Sequence, residues 1–363
     1  MELANCSTRC SGYILPNKFP FDGKPIIMII KQPEEFVMRK LRLIATGGTI
    51  ACTPTDEGLK PGLNAGDLLS FLDIDRSNID AVDLFNIDSS NIQPEEWCRI
   101  AKKVLKTSWD FDAVVITHGT DTMAYTASML SFMLLDIPIP VVLTGAQFPI
   151  VYPDSDGRQN LTNAIAAARG MDPGVYICFG EDLIKGCRAV KTRTTSLNAF
   201  ESINYPYVGK VENGVYEPLT RTRPLGAFAF SVDIDPRVAL IKLIPGTSPA
   251  ILDNLPQCGV KGVVVEAFGS GGVHNIRRDH NESLKRLMLQ GIPVILTSQC
   301  LYEASSPDIY QVSRALRDAG VISAYDMTTE AAVTKLMWAL GRTGDMDEIR
   351  ALMHTSLCGE ITV

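Results

Sequence analysis

Short runs of mostly apolar residues recur from residue 40 onward, and each is followed by a longer stretch with helical features. The runs at 41–45, 113–116 and 141–144 are mostly apolar on both faces, with Arg42 as the one charged residue, which is typical of strands buried in a parallel sheet. Gln93-Pro94-Glu95-Glu96 begins a helix, because proline suits the first turn and acids favour the positive end of the helix dipole. The alternation predicts an α/β fold with a mainly parallel sheet.

The alternation is interrupted once and then resumes. Asn213-Gly214, between two short strand-like runs, predicts a hairpin turn. Residues 219–236 contain prolines and arginines with little periodicity and predict a linker, after which apolar runs restart at 238–241. We interpret Met38 as the natural start. The predicted parts are an extension at 1–37 that is either disordered or not native, a larger N-terminal α/β domain at 38–218, a linker at 219–236, and a smaller, flavodoxin-like C-terminal α/β domain at 237–363.

Composition narrows the class of protein. The net charge of −7 argues against a general nucleic-acid binder, which needs a basic surface. The nine cysteines show neither a Cys-x-x-Cys motif nor zinc-ligand spacing, so we expect a reducing cytoplasm and no metal site. No run reaches the roughly 18 apolar residues of a membrane helix. We therefore predict a cytoplasmic protein that binds neither membranes nor nucleic acid.

Threonine hydroxyls follow two of the predicted strands. The peptides are Thr46-Gly47-Gly48-Thr49 and His118-Gly119-Thr120-Asp121-Thr122, and ligands bind at the carboxyl ends of strands in such sheets. Threonine is a poor nucleophile and needs a base, while the glycines let a substrate approach backbone N–H groups that stabilise an oxyanion. A buried lysine with a lowered pKa would serve as the base, although composition does not say which one. We interpret the histidine of the second peptide as structural.

The two threonine peptides resemble the signatures of bacterial-type L-asparaginases. Asp88-Ser89-Ser90-Asn91 is similar to the substrate-binding loop of that family. Thr297-Ser298-Gln299-Cys300 and Asp326-Met327-Thr328-Thr329 resemble the cytoplasmic, type I branch. The resemblance covers residues 40 to 360 and implies hydrolysis of L-asparagine to L-aspartate and ammonia without a metal or organic cofactor. It also implies a homodimer or homotetramer.

The resemblance assigns a function to individual residues. Thr49 matches the nucleophile that attacks the side-chain amide, and Thr120, Asp121 and Lys191 match the supporting triad. Residues matching substrate-binding positions are Asp88, Ser89, Ser90, Thr120 and Asp121. Of these, Ser89 and Asp121 are expected to hold the α-carboxylate and the α-amine.

Three positions depart from the family pattern. Leu59 stands where many relatives have a loop tyrosine that activates the nucleophile, and Tyr310 from the second domain is the matching replacement. Glu266 stands where some type I enzymes have an arginine that binds an allosteric asparagine. Val190 replaces a hydroxyl residue before the triad lysine. Because a carboxylate repels the carboxylate of the effector, we expect no activation by asparagine.

Two other functions fit parts of the pattern. An asparaginase-like subunit of a transfer-RNA amidotransferase would release ammonia for a partner, but such subunits carry a larger additional N-terminal domain. A catalytically silent amino-acid-binding protein would keep Asp88, Ser89 and Asp121 without needing Thr49, Thr120 and Lys191, all of which are present. The preference for asparagine or glutamine is left open, because one methylene changes binding by only ~1–3 kcal/mol.

Overall fold

A computed structural model describes residues 38–220, 225–305 and 316–362. Between residues 38 and 220, four helices and thirteen strands are present. The helices are α1 (Ala65–Ser70), α2 (Pro94–Thr107), α3 (Met123–Met133) and α4 (Gly157–Gly170). The strands are β1 (Leu41–Gly47), β2 (Cys52–Thr55), β3 (Gly58–Pro61), β4 (Ile79–Ile87), β5 (Ala113–Thr117), β6 (Leu134–Leu135), β7 (Pro140–Thr144), β8 (Gly174–Phe179), β9 (Asp182–Lys185), β10 (Ala189–Lys191), β11 (Phe200–Ser202), β12 (Gly209–Glu212) and β13 (Val215–Pro218).

The larger sheet has eight strands in the order β13-β12-β9-β8-β7-β5-β1-β4. Strands β4, β1, β5, β7 and β8 are parallel, and the three outer strands β9, β12 and β13 add antiparallel pairs. Helices cover both faces, so the central strands β1, β5 and β7 are buried at every position except Arg42, as the apolar runs predicted. Because β1 lies between β4 and β5, the segments after these three strands emerge at one edge.

Separate two-stranded ribbons lie outside the eight-stranded sheet. Strands β2 and β3 form a hairpin directly after the first threonine peptide. Strand β10, which ends at Lys191, pairs antiparallel with β11. A third ribbon joins β6 to β14 (Ala229–Phe230), so part of the predicted linker packs on the first domain.

In the described residues of the smaller domain, four strands form a parallel sheet between helices. The strands are β15 (Val238–Lys242), β16 (Gly262–Ala267), β17 (Val294–Ser298) and β18 (Ile322–Ser323), and the helices are α5 (Pro249–Asn254), α6 (His280–Leu289), α7 (Thr329–Leu340) and α8 (Met346–His354). The strands lie side by side in chain order. This order differs from the 2-1-3-4-5 order of flavodoxin itself.

Helix α3 joins the two domains. Its side chains are buried almost all round, including those of Met129 and Met133. On one side α3 packs against the larger sheet, and on the other it contacts α7, where Ser128 Oγ lies 2.8 Å from Thr334 Oγ1. Helix α3, which begins directly after the second threonine peptide, is therefore packed in the hydrophobic cores of both domains.

Several local predictions are confirmed. Helix α2 begins at Pro94, and the Asn213-Gly214 turn has φ angles of 51° and 76°, which suits a tight hairpin. The predicted extension at 1–37 and Tyr310 lie outside the described residues. Within the described part of the chain, no helix is long and apolar enough to cross a membrane.

Candidate active site

The turn after β1 brings Thr49 to the edge of the sheet. Gly47 and Gly48 have φ angles of 99° and 80°, a region that favours glycine, and Thr49 then begins a short 3₁₀ turn. A Cβ on Gly48 would lie 2.4 Å from Gly119 Cα. The two threonine peptides therefore touch backbone to backbone, and a side chain at Gly48 would force them apart.

The segment after β4 completes this contact. A Cβ on Gly119 would lie 2.4 Å from Ser89 Oγ, so Ser89 is packed against the second peptide. Thr122 Oγ1 also donates a hydrogen bond to the Ser89 carbonyl at 2.8 Å. The three strand ends therefore bring together Thr49, Thr120 and Ser89, as the strand order requires.

Lys191 reaches the second peptide from β10. Its Nζ donates hydrogen bonds to Thr120 Oγ1 at 2.7 Å and to Asp121 Oδ1 at 2.6 Å. Thr120 is buried and the Lys191 side chain is only 16% exposed, whereas the Asp121 side chain is 65% exposed. One ammonium group thus contacts a sheltered hydroxyl and a carboxylate that faces solvent.

His118 fixes the backbone under Thr120. Its Nδ1 donates to the Gly119 carbonyl at 2.7 Å, so Nε2 accepts from Thr126 Oγ1 at 3.0 Å. Thr126 in turn accepts a hydrogen bond from Trp97 Nε1 at 2.9 Å. Burial lowers the pKa of His118 to about 4, so the ring is neutral at physiological pH. These contacts agree with the structural interpretation of this histidine.

The segment Asp88–Ser90 is held by its own side chains. Asp88 accepts hydrogen bonds from the Ser90 hydroxyl at 2.6 Å and from the Ser90 backbone N–H at 2.8 Å. These two bonds lower the pKa of the Asp88 carboxyl. Asp88 is therefore a carboxylate of fixed orientation beside the buried Ser89 hydroxyl.

Gln147, three residues after the end of β7, contacts Thr120, and this contact was not predicted from the sequence. Its Oε1 lies 3.5 Å from Thr120 Oγ1, and its Nε2 donates to the carbonyls of Thr194 and Ser196, both at 3.1 Å. Gln147 therefore links Thr120 to the loop that follows Lys191. The sequence feature that points to Gln147 is its place in the segment after β7, because ligands bind at the carboxyl ends of the strands in such sheets.

The second domain also contacts the region of Lys191. The Tyr302 hydroxyl donates a hydrogen bond to Glu201 on β11, and this bond lowers the pKa of Glu201. Thr192 and Arg193, the two residues after Lys191, bind the other oxygen of Glu201 at 3.1 and 2.7 Å. Tyr302 was not predicted, and it places a tyrosine of the second domain beside the loop that follows the lysine.

The three positions that depart from the family pattern have different surroundings. Val190 is buried on β10. Glu266, at the end of β16, accepts a hydrogen bond from Thr329 Oγ1 at 2.8 Å and lies 3.4 Å from Lys242 Nζ. Leu59, in the β2–β3 hairpin, is 48% exposed.

Comparison with known proteins gives matches in both domains. Residues 40–222 match the family described as asparaginase, N-terminal, and residues 237–353 match the glutaminase/asparaginase C-terminal domain. An L-asparaginase from Thermococcus kodakarensis is 43% identical over 329 residues, which are 89% of this chain and 99% of that protein. A glutamyl-tRNA(Gln) amidotransferase subunit from Methanosphaera stadtmanae is 37% identical, over 89% of this chain and 77% of the relative.

Solved structures give a similar result. The thermostable L-asparaginase from Thermococcus kodakarensis superposes with a TM-score of 0.85 at 42% identity, covering 89% of this chain and 99% of that one. L-asparaginase I from Vibrio cholerae superposes with a TM-score of 0.78 at 32% identity, covering 90% of this chain and all of the other. Because sequence and structure match across both domains, this chain belongs to the asparaginase family.

Proposed function

We propose that the protein is an L-asparaginase that hydrolyses the side-chain amide of L-asparagine through an acyl-enzyme on Thr49. The observation that carries this proposal is the contact of Lys191 with Thr120 and Asp121, at 2.7 and 2.6 Å. It lies where the second threonine peptide touches the Gly48–Thr49 turn. A nucleophile and a group that moves its proton are thus held on adjoining backbones, as acyl transfer requires.

In the acylation step, Thr49 Oγ1 attacks the carbon of the substrate amide. Thr120 takes the proton of Thr49 while passing its own hydroxyl proton to the departing nitrogen, which leaves as ammonia. Lys191 supports this relay by donating a hydrogen bond to the Thr120 oxygen. Because that oxygen accepts from the lysine, the hydroxyl proton of Thr120 points away from it. The product of the step is an ester between Thr49 and the aspartyl acyl group.

In the second step, water attacks the ester carbon and its proton returns to Thr49, which releases L-aspartate. The same relay through Thr120 serves in this direction, since proton transfers are reversible. Backbone N–H groups in the glycine turns provide donors for the oxyanion that forms in both steps.

Substrate binding relies on the charged and polar groups around the threonines. Asp121, whose carboxylate is exposed, would hold the α-ammonium group, which prefers a negative charge. Ser89 would bind the α-carboxylate, with Ser90 and Asp88 fixing the shape of this segment. Tyr310, outside the described residues, is proposed to assist proton transfer from the second domain.

We place the protein in the cytoplasmic, type I branch, as a homodimer or homotetramer with domain limits at 38–218 and 237–363. The motifs at 297–300 and 326–329 support this branch, and the match to L-asparaginase I from Vibrio cholerae is consistent with it. Glu266, already bound by Thr329, would repel an effector carboxylate. We therefore expect a hyperbolic dependence of rate on asparagine concentration, and a clearly sigmoidal curve would reject this.

The alternative activity is that of an amidotransferase subunit, and the identity to the Methanosphaera stadtmanae relative favours it as the second candidate. The two functions differ in what they need for turnover. An L-asparaginase releases ammonia from asparagine alone, whereas an amidotransferase subunit would require a partner protein and tRNA. Steady-state ammonia release by the purified protein, with asparagine and with glutamine over a wide concentration range, separates them.

A further inference from the structure

Three ligand-type side chains outside the active site converge where the C-terminal segment meets the first domain. Cys187, just before β10, approaches Cys358 and Glu360 from the segment after α8. The two sulfurs and a carboxylate oxygen all lie within 4.8 Å of one another. The two cysteines are 171 residues apart, which explains why cysteine spacing gave no sign of them.

We propose that Cys187, Cys358 and Glu360 form a binding site for zinc(II), with water as the fourth ligand. Tetrahedral zinc with bonds of about 2.3 Å to sulfur and about 2.0 Å to oxygen places sulfur and oxygen ligands about 3.5 Å apart. Cys358 Sγ already lies 3.4 Å from Glu360 Oε2. Thiolates favour zinc over magnesium and calcium, which prefer oxygen ligands.

The site is charge-balanced when zinc is bound. Glu360 is fully buried, and its Oε1 forms an ion pair with the buried Lys335 Nζ at 2.5 Å. Its Oε2 faces Cys358 and would be the ligand atom. Zinc would displace the proton of each thiol, and two protons would leave to solvent. The two positive charges of zinc would then be offset by the two thiolates. The positive charge of Lys335 and the negative charge of Glu360 offset each other.

The surroundings hold the ligands in place without the metal. Backbone N–H groups of Leu357 and Cys358 donate to the Glu360 carboxylate at 3.0 and 2.8 Å. Arg188, next to Cys187 and fully buried, donates to the Gly359 carbonyl at 2.8 Å. Such outer contacts orient metal ligands. Of the three ligands, Cys358 lines a cavity, together with Lys185 and Gly174, and zinc and its water would enter from this side.

Bound zinc would connect the C-terminal segment to the segment that leads into Lys191. Cys187 lies four positions before Lys191, and the residues between them are Arg188 and the first two residues of β10. The metal would therefore stabilise the contact between the two domains beside the active site, without entering the reaction. This proposal is independent of the substrate assigned to the site.

Cobalt(II) titration of reduced, metal-free protein tests the proposal. We expect sulfur-to-cobalt charge-transfer absorption and tetrahedral visible bands that saturate at one equivalent and disappear when zinc is added. Cys358→Ser and Cys187→Ser should each weaken binding by more than about tenfold. Cys258→Ser, at an exposed cysteine outside the cluster, should bind like the wild type.

A second measurement does not depend on how the variants fold. Zinc at a hundredfold excess over its Kd should raise the Tm of the wild-type protein by roughly 5 °C. Absence of both the cobalt bands and this rise would overturn the proposal, as would full cobalt binding by a folded Cys358→Ser protein. If the reduced protein binds no cobalt but loses two thiols as a Cys187–Cys358 disulfide on mild oxidation, the pair is redox-active and the zinc assignment is wrong.

Discussion

Lys191 Nζ lies 2.7 Å from Thr120 Oγ1, although 71 residues separate them in the chain. The lysine ends β10, a strand of the small ribbon that packs on helix α3, while Thr120 follows the central strand β5. Gln147 contacts the same hydroxyl and also holds the loop after Lys191. The hydroxyl of Thr120 is thus positioned by two segments whose placement depends on the complete fold.

Removing the lysine should stop the proton relay while leaving the fold in place. Lys191→Gln should lower kcat by about 10²- to 10⁴-fold, the usual contribution of proton transfer, because Thr120 loses the donor that orients its hydroxyl. Lys210→Gln, on the outer strand β12, is the matched control and should retain wild-type kcat. The measurement is steady-state ammonia release, and equal kcat for both variants would remove Lys191 from the mechanism.

The contact between the two threonine peptides requires glycine at position 48. Gly48→Ala should cost stability and reduce turnover sharply, because its Cβ would lie 2.4 Å from Gly119 Cα. Gly58→Ala carries a similar positive φ of 114°, but among the described residues nothing lies within 4 Å of its Cβ. We expect Gly58→Ala to lose only about 1–2 kcal/mol of the free energy of unfolding.

Urea denaturation and turnover of both variants separate steric overlap from backbone strain. If Gly48→Ala and Gly58→Ala had the same stability and the same turnover, the close backbone contact would not matter for the site.

Burial of neutral His118 should make stability depend on pH. Its pKa is about 4 in the folded protein against about 6.5 when exposed, so the unfolded chain binds the proton more readily between these values. The free energy of unfolding should therefore fall as pH decreases through this window. In His118→Gln this contribution is absent, so its stability deficit relative to the wild type should narrow by roughly 2 kcal/mol from pH 7 to pH 5. Chemical denaturation at the two pH values measures the difference, and a constant deficit would mean that His118 is not neutral in the fold.

The second domain should influence turnover through tyrosine hydroxyls. Tyr302→Phe removes the hydrogen bond to Glu201, which also binds Thr192 and Arg193 next to Lys191. We expect a several-fold loss of kcat/KM with little change in stability. Tyr310→Phe should lower kcat further if Tyr310 assists proton transfer.

The control for both tyrosine variants is Tyr325→Phe. The ring of Tyr325 packs against that of His354 on α8, with ring centroids 5.1 Å apart, whereas the hydrogen bond to Glu201 comes from Tyr302. Removing the Tyr325 hydroxyl should therefore leave turnover near the wild-type value. Turnover of Tyr302→Phe and Tyr310→Phe equal to that of Tyr325→Phe would show that neither hydroxyl contributes.

The sequence predicts the parts of this protein whose signals are local. Pro94 and the acids after it mark the start of α2, and Asn213-Gly214 marks the hairpin, because these conformations are set by a few adjacent residues. The glycines before Thr49 and Thr120 likewise indicate turns at strand ends. Both threonine peptides meet because β1 and β5 are neighbours, and the alternation of strand and helix does not by itself determine that order.

Contacts between segments that are distant in the chain could not be predicted from short sequence patterns. The residues themselves give no reason to join Lys191 to Thr120 until the resemblance supplies it, since Lys191 reaches the site through a short ribbon outside the main sheet. Tyr302 and Gln147 act through loops, and Cys187 meets Cys358 only when the C-terminal segment returns to the first domain. In each case tertiary packing, rather than propensity, decides which side chains meet.

Turnover of Thr49→Ala is the most direct measurement, made beside Thr53→Ala from the adjoining hairpin as a control. If Thr49 carries the acyl group, ammonia release from asparagine should fall by more than about 10³-fold, while aspartate binding measured by calorimetry and the turnover of Thr53→Ala stay near wild type. Ammonia release by folded Thr49→Ala at the wild-type rate would show that another group is the nucleophile.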